Sequence, residues 1–247
     1  MITYNGHTSD EFGVRFTAPI PLNRPSRKVE LVSVPGRNGD LAFEQDAFSD
    51  VQIIYDVFGP FTVQNGVYVR NSTAVDTFSD LVAWLSSTKG YLDLTDSSDI
   101  THFRKARFAE YSAPVNIRDK GWTASLIFDC HPQRYLNSGQ QAVTISSAPG
   151  SITNPTAFAA RPLIRVQGSG ASGTVTVNGT VFTVSSTSSY TYIDCETMNC
   201  YGTNGNNKNS IVSSSTSEFA TLAPGENAIG FTGGVTKLVI TPRFWEL

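Results

Sequence analysis

The residues best suited to chemistry in this chain of 247 residues are three histidines and three cysteines: His7, His102, His131, Cys130, Cys195 and Cys200. Nucleophilic catalysis needs a Ser, Cys or Thr within hydrogen-bond reach of a base such as histidine. Cys130 and His131 are neighbours in a strand-like run, and neighbouring strand residues point to opposite faces, so they cannot form such a pair. We therefore predict that Cys130 is a buried core thiol. The odd number of cysteines argues against a disulfide framework and favours three reduced thiols.

Carboxylates are the other candidates for chemistry. Asp93, Asp96 and Asp99 lie close together, but their spacing departs from that of a calcium-binding EF-hand loop, and we predict a solvated loop. Asp194 and Glu196 alternate on a predicted strand and could form a glycosidase pair. The C-terminal region has only five acidic residues, which disfavours that reading. We predict no catalytic residue, no metal site and no cofactor, so the chain is not expected to be an enzyme.

Two further motifs fall short of a phosphate or nucleic-acid site. Residues 168–173 are rich in glycine but lack the Lys-Ser/Thr ending of a phosphate loop and precede a strand, so we predict a flexible turn region. Arg104, Lys105 and Arg107 form a short basic run. Without more cationic residues nearby we predict the edge of a sheet there, not a nucleic-acid surface.

Charge is distributed very unevenly along the chain. Residues 1–134 hold 13 Lys+Arg and 16 Asp+Glu, whereas residues 135–247 hold five of each. The net charge of −3 therefore belongs to the first part, and it offers no excess of basic residues to hold DNA. Such a change in composition predicts two domains with separate cores.

The domain boundaries follow from this change and from a segment rich in Ser, Gly, Gln and Pro. We predict a first domain over residues 1–136, a linker over 137–155 and a second domain over 156–247. The N-terminus has neither a basic nor a long apolar stretch, so no signal peptide is expected. No apolar run is long enough to predict a membrane span.

The first domain is predicted to be mostly strand with one helix. Asn5-Gly6 is typical of a type I′ hairpin turn, because both turn positions need positive φ. Residues 29–34 and 51–58 are strand-like runs on either side of a turn with one proline and two glycines. Residues 122–130 alternate so that Trp122, Cys130 and the apolar residues between them share one face.

The helix is predicted over residues 74–89. Thr73 with Asp76 fits a capping box at its start. Its apolar stripe, which we expect to pack on the sheet or barrel of the first domain, comprises Val75, Phe78, Val82 and Leu85, with Leu81 beside them. Gly90 is predicted to end the helix in the left-handed conformation.

The second domain is predicted to be all-β. Residues 174–184 read as a complete hairpin around Asn178-Gly179. Residues 163–166, 190–194 and 235–241 are further strand-like runs, separated by regular turn signals without a helical pattern. Short strands in this arrangement favour a β-sandwich.

In order and spacing, these motifs resemble the distal tail proteins of long-tailed phages that infect Gram-positive bacteria. The likeness spans almost the whole chain. The segments that carry it are Tyr4-Asn5-Gly6, Val34-Pro35-Gly36-Arg37-Asn38-Gly39-Asp40, Lys89-Gly90-Tyr91, Phe128-Asp129-Cys130-His131-Pro132-Gln133-Arg134-Tyr135, Asn154-Pro155-Thr156, Arg161-Pro162, Ile193-Asp194-Cys195-Glu196, Leu222-Ala223-Pro224-Gly225-Glu226-Asn227 and Pro242-Arg243-Phe244-Trp245.

The resemblance implies a structural protein of the virion tail tip, made in the cytoplasm of the host bacterium. Its N-terminal domains would form a hexameric baseplate hub ring, and its C-terminal domain would be a galectin-like β-sandwich. One face of the ring would meet the tail tube protein and the other the tail-associated fibre or lysin protein. DNA would pass through the ring without specific binding, and no membrane insertion is implied.

Four residues are candidates for contacts in such an assembly. Arg37 and Asp40 would stabilise their turn or contact a neighbouring subunit. Exposed aromatic residues beside polar ones can form a saccharide platform, and Tyr201 and Trp245 are the candidates here. We favour a C-terminal domain that docks baseplate or receptor-binding proteins. The alternative is a carbohydrate-binding module that attaches to host cell-surface saccharide.

Overall fold

The structure, a computed structural model, describes residues 1–16, 23–59, 62–64, 67–69, 74–117 and 121–247. It divides into two compact units, one of residues 1–134 with residue 247, and one of residues 135–246. Strands dominate both units, and the described residues contain a single α-helix. The predicted fold class, mainly β with one helix, is therefore confirmed.

The first unit is built on one antiparallel sheet with the strand order β2-β1-β9-β10-β12-β6-β3, and β11 pairs with β12. The pairing of the described strands is open, so of the two predicted forms, barrel or sheet, the structure has the sheet. Two further pairs, β4 with β5 and β7 with β8, lie outside this sheet. The strands of the first unit are β1 (Ile2–Tyr4), β2 (His7–Thr8), β3 (Arg15–Phe16), β4 (Arg27–Val32), β5 (Leu41–Phe48), β6 (Val51–Gly59), β7 (Thr62–Gln64), β8 (Val67–Val69), β9 (Leu92–Asp96), β10 (Asp99–Tyr111), β11 (Val115–Ile117) and β12 (Gly121–Leu136).

The alternation in β12 and the Asn5-Gly6 turn are both confirmed. Trp122, Ala124, Leu126, Phe128 and Cys130 are all buried on one face of β12, and they pack in the core with the inward face of β6. Asn5 and Gly6 both have positive φ and join β1 to β2 as predicted.

The helix α1 spans Ala74–Ser86 and ends three residues before the predicted position. Ser87 causes the early end, because its backbone N–H and its hydroxyl both donate to the carbonyl oxygen of Trp84 in place of a continued helical bond. Gly90 has positive φ but lies beyond the helix. Leu81 and Leu85 are buried as expected, and Trp84, absent from the predicted stripe, is buried with them. The predicted capping box lies outside the described residues.

Two predictions about β9 and β10 are wrong. The basic run Arg104–Arg107 does not lie at a sheet edge, because β10 pairs with β9 on one side and β12 on the other. Acids on those neighbours neutralise part of it: Lys105 pairs with Asp93 at 2.5 Å and Arg107 with Asp129 at 2.6 Å. The acidic cluster, predicted as a loop, lies instead at the end of β9 and the start of β10.

The second unit begins at the end of β12, where Leu136 donates its N–H to the carbonyl oxygen of Phe244. Its strands are β13 (Val143–Ile145), β14 (Gly150–Asn154), β15 (Leu163–Val177), β16 (Thr180–Val184), β17 (Thr191–Asp194), β18 (Asn199–Gly202), β19 (Val212–Ser214), β20 (Gly225–Thr241) and β21 (Trp245–Glu246). The prediction that residues 137–155 form a linker is wrong, because β13 and β14 both pair with β20 within the second unit.

The strands β15 and β20 pair with each other along most of their length and organise the second unit. The first part of β15 also pairs with β17 and its last part with β16, so both parts contribute to one core, as in a β-sandwich. The predicted hairpin around Asn178-Gly179 is confirmed, with positive φ at both residues.

Residues 168–173 are not a flexible turn but the middle of β15, where the register with β20 shifts. Glycine is required at Gly168, because a Cβ there would lie 2.2 Å from the carbonyl oxygen of Gly234. Gly168 and Gly173 therefore serve a close approach of two backbones. No helix in the described residues is long and apolar enough to cross a membrane.

Candidate interaction surfaces

Among the described residues, the hairpin of β4 and β5 is the most exposed apolar element of the first unit. All six residues of β4 are exposed, and of the strands that the structure describes, β4 and β5 pair only with each other. The exposed large apolar side chains of the hairpin and its turn are Val29, Leu31, Val32, Val34 and Phe43. Leu31 is 63% exposed and Phe43 is 51% exposed. Several exposed apolar side chains on one element mark an interaction surface in preference to ordinary surface.

The register of the hairpin places apolar groups on both of its faces. Leu31 pairs with Ala42, and Glu30 pairs with Phe43. Because directly paired residues share a face and successive residues alternate, Leu31 lies on one face and Phe43 on the other. At the base, the Ser49 N–H donates to the Ser26 carbonyl oxygen at 2.9 Å and closes the hairpin.

The turn at the tip explains why proline and glycine occur there. Arg37 donates its backbone N–H to the carbonyl oxygen of Val34 at 3.1 Å, and Gly36 between them has a φ of 81°. Proline second and a positive-φ glycine third are the signature of a type II turn, which Val34-Pro35-Gly36-Arg37 satisfies. No heavy atom lies near a Cβ placed on Gly36, so backbone conformation alone requires the glycine.

Arg37 ends this turn, Asp40 lies three residues further along the same loop, and both are exposed. The backbone of Arg37 closes the turn, whereas no hydrogen bond or ion pair of its side chain, or of Asp40, is found among the described residues. Both charged groups are therefore free to contact another molecule. Their role as subunit contacts stays a prediction.

In the second unit, Tyr201 forms an aromatic pair with Tyr192. The two residues are directly paired across β17 and β18, their ring centroids are 5.3 Å apart, and the rings are nearly parallel. Both are half-buried. Asp194 follows Tyr192 on the same outward face, where Arg243 binds it through two nitrogens at 2.7 and 3.3 Å.

The ion pair between Asp194 and Arg243 is mostly enclosed. Burial acts to raise the pKa of Asp194, but the hydrogen bonds and charge of Arg243, with the N–H groups of Glu196 and Thr197, outweigh it and hold that pKa below its usual range. Arg243 also contacts Glu196 at 3.1 Å. The carboxylates of Asp194 and Glu196 thus hold one guanidinium, and this arrangement is structural.

Trp245, the other saccharide candidate, belongs to a separate aromatic pair. Its ring stacks on Phe158 with centroids 4.5 Å apart, and its indole N–H donates to the Ala159 carbonyl oxygen at 3.0 Å. One ring face and the only polar atom of the side chain are therefore already in use. The structure does not bring Tyr201 and Trp245 together in one ring contact.

The cysteines lack the properties of nucleophiles. Burial raises the pKa of Cys130 and of Cys195 to about 12 and that of Cys200 to about 11. Such thiols stay protonated at neutral pH, whereas the thiolate is the reactive form. His131 lies on the other side of the strand from Cys130 and packs on Tyr91, with ring centroids 4.0 Å apart.

The sequence did not indicate that the apolar residues of β4 and β5 are exposed, because a run such as Arg27–Val32 is equally compatible with a half-buried strand. The only local sign of this exposure was the weak alternation of apolar and polar residues in the run. A second missed feature is a group of arginines beside the core of the first unit, which comes from β10, β12 and a segment before β4. These residues are too far apart in sequence to form a motif.

No protein-family profile matches the chain, and no curated protein matches it by sequence. Among solved structures, it is similar to the Dit protein (gp 19.1) of phage SPP1, described as a paradigm of the hub adsorption apparatus in phages that infect Gram-positive bacteria. The match has a TM-score of 0.69 at 14% sequence identity and covers 100% of this chain and 98% of that one. From end to end, therefore, the chain has the fold of the SPP1 Dit protein.

Proposed function

We propose that this chain is a structural hub protein of a phage tail tip. Six copies form a ring that joins the tail tube protein to the tail-associated fibre or lysin protein. The second units, which we propose to be galectin-like sandwiches, offer docking surfaces to baseplate or receptor-binding proteins. The observation that carries the proposal is the fold match to a hub protein, which covers 100% of this chain.

The exposed hairpin supports the ring. A closed ring requires head-to-tail contacts, in which one patch on each copy meets a different patch on the next. The apolar hairpin of β4 and β5 is suited to be one of these patches, because its side chains are unburied on both faces. We propose that the hairpin, including Arg37 and Asp40 at its tip, contacts the neighbouring copy.

The charge of the first unit supports a passage for DNA without binding. Residues 1–134 carry three more acidic than basic residues, and the basic run in β10 is partly neutralised by Asp93 and Asp129. A surface without basic excess lacks the electrostatic attraction that dominates binding to the phosphate backbone. The absence of any activated nucleophile among the cysteines supports a role without catalysis.

Light scattering on the purified chain, followed by negative-stain imaging of the same peak, tests the proposal. Six copies of the 26.7 kDa chain have a mass of about 160 kDa, and the particles should be rings with a central hole. If the chain alone is monomeric, a tail tube protein and a tail fibre protein from the same phage are added. A protein that stays monomeric with both partners present refutes the hub.

One observation favours a second candidate function for the C-terminal unit, the attachment to host saccharide. The Tyr192–Tyr201 pair is half-exposed beside polar groups, and aromatic faces with polar neighbours bind sugar rings. Trp245 is less suited, because Phe158 covers one face of its ring. A glycan array with the native chain and Tyr201→Ala distinguishes the two functions: only a saccharide-binding module gives signals that the substitution removes.

A further inference from the structure

A cavity of about 50 Å³ lies in the first unit, at the end of the apolar core beside Tyr55 and Leu94. Its charged lining consists of three guanidinium groups, two carboxylates and one imidazole: Arg24, Arg104, Arg134, Asp96, Asp99 and His102. Among these side chains the guanidinium groups outnumber the carboxylates by one. The proposed hub function uses none of these residues.

Both carboxylates of the cavity already have partners in the protein. Asp99 contacts Arg134 at 3.1 Å and the Nδ1 atom of His102 at 2.7 Å. Burial acts to raise the pKa of Asp99, but these two partners outweigh it and hold that pKa below its usual range. Asp96 accepts a hydrogen bond from the Ser98 N–H at 2.8 Å and another from the hydroxyl of Tyr55.

Arg104 is left without a counter-charge. It shares the inward face of β10 with the fully buried Ala106, so its guanidinium lies at the edge of the core. Its Nη1 atom is buried and has no hydrogen-bond partner among the residues that the structure describes. Burial, together with the charges of Arg134 and Arg24, lowers the pKa of Arg104. An unpartnered guanidinium in this position is unfavourable unless an anion joins it.

Arg24 adds a second donor to the same cavity. Its Nη1 atom donates to a main-chain oxygen of Leu247 at 2.5 Å, and no Asp or Glu side chain of the described residues pairs with it. A water molecule in the cavity would satisfy the free N–H of Arg104 but would leave the positive charge of that side chain uncompensated. A small anion satisfies both requirements.

We propose that this cavity binds one small oxyanion, of the size of inorganic phosphate, through Arg104 and Arg24. The planar fork of a guanidinium matches the spacing of phosphate oxygens and forms charge-assisted hydrogen bonds with them. A water molecule needs roughly 10–15 Å³ of such space, so the cavity has room for about four water-sized groups. That volume suits a free ion and is too small for a nucleotide. The inference does not depend on the hub function.

Isothermal titration of the full chain with sodium phosphate, against sodium chloride at equal ionic strength, tests the proposal. We expect saturable binding at one site per chain. Arg104→Gln should weaken it at least tenfold, since one charge-assisted hydrogen bond is lost. Arg107→Gln is the matched control: Arg107 lies on the same strand, pairs with Asp129 and does not line the cavity, so this variant should bind phosphate like the native chain.

The proposal is overturned if the native chain shows no saturable heat with phosphate into the tens of millimolar, or if Arg104→Gln and Arg107→Gln bind alike. Circular dichroism shows whether Arg104→Gln has folded. If it has not, Arg24→Gln decides, because Arg24 is exposed and its substitution leaves the core intact. Weaker phosphate binding by that variant supports the site, and unchanged binding overturns it.

Discussion

Placing a charge on each face of the β4–β5 hairpin should prevent ring assembly while leaving the monomer folded. The variant is Leu31→Glu with Phe43→Glu. Both side chains are more than half exposed, so neither contributes much to the core of its own chain. Substitutions at such positions usually change the free energy of unfolding by less than about 0.5 kcal/mol. Any loss of assembly in this variant is therefore a loss of contact with another molecule and not of monomer stability.

The size of the effect follows from the exposed area. Phe43 is 51% exposed, and a phenylalanine buries roughly 200 Å² at most, so about 100 Å² remains for a partner to cover. At about 25 cal/mol per Å² this is about 2.5 kcal/mol. Full burial of a leucine side chain is worth roughly 2.2 kcal/mol, so Leu31, 63% exposed, adds about 1.4 kcal/mol. The loss per interface is thus about tenfold if only the Leu31 face is used and nearly a thousandfold if both faces are.

Sedimentation or light scattering across a dilution series measures the loss, and thermal unfolding of the same samples at low concentration checks the fold. Met198→Glu is the control, because Met198 is also a half-exposed apolar residue but belongs to the second unit and not to the hairpin. It should assemble like the native chain. The reasoning is refuted if the hairpin variant still forms native rings at every concentration, or if its melting temperature falls as far as a core substitution would lower it.

Three further outcomes are expected. Arg243→Met should destabilise the second unit by about 3 kcal/mol, because it leaves the buried carboxylate of Asp194 unpaired. The folded-state pKa of Asp194 is lowered, so the stabilising contribution of its carboxylate is present above pH about 4 and is lost as pH falls through that lowered pKa. Chemical denaturation should therefore show the stabilities of the native chain and the Arg243→Met variant converging in acid. Gly168→Ala should lower the melting temperature by several degrees, because its Cβ would clash with backbone, whereas Gly230→Ala meets its nearest atom at 3.7 Å and should be tolerated. All three thiols, with pKa values raised to about 11 or 12, should resist iodoacetamide at pH 8 in the native chain and react after unfolding, as mass spectrometry can follow.

Features fixed by a few neighbouring residues could be predicted from the sequence. Asn5-Gly6 and Asn178-Gly179 form the expected turns, because a type I′ turn needs positive φ at both central positions and Asn followed by Gly adopts it readily. The alternation in β12 likewise gave the correct buried face, since a strand with one buried side imposes a period of two. In these cases local chemistry and tertiary structure require the same residues.

Features that depend on which strands lie beside a segment in the sheet could not be predicted from the sequence. The basic run in β10 read as an edge, because nothing in residues 104–107 reveals that acids on both neighbouring strands will pair with it. The glycine-rich residues 168–173 read as a turn, because glycine also permits the close approach of two strands, and only the position of Gly234 distinguishes these uses. The end of α1 was misplaced because Gly90 is the stronger helix-ending residue in the sequence. In the structure the helix ends earlier, because Ser87 forms a hydrogen bond to the carbonyl oxygen of Trp84.

The segments that resemble tail-tip proteins are structural supports, and this explains why they identify a fold without identifying a partner. Asp194 and Arg243 come from two of these segments, 49 residues apart, and meet in one ion pair. Asn227, fully buried in a third, donates to the carbonyl oxygens of Ile152, Ala223 and Gly225. Each position needs one residue type because its partners are fixed.

An association surface such as the β4–β5 hairpin is constrained differently. It needs apolar groups that fit a neighbouring copy, and many combinations satisfy this when both sides change together. Such a surface leaves no motif, whereas the supports that hold the strands persist as geometry even when most residues differ. This is a physical reason why the fold of this chain matches a hub protein over its full length at 14% identity, while no family profile matches its sequence. The residues that would join one copy to the next must therefore be found from exposure in the structure, and the hairpin is where that exposure is concentrated in the first unit.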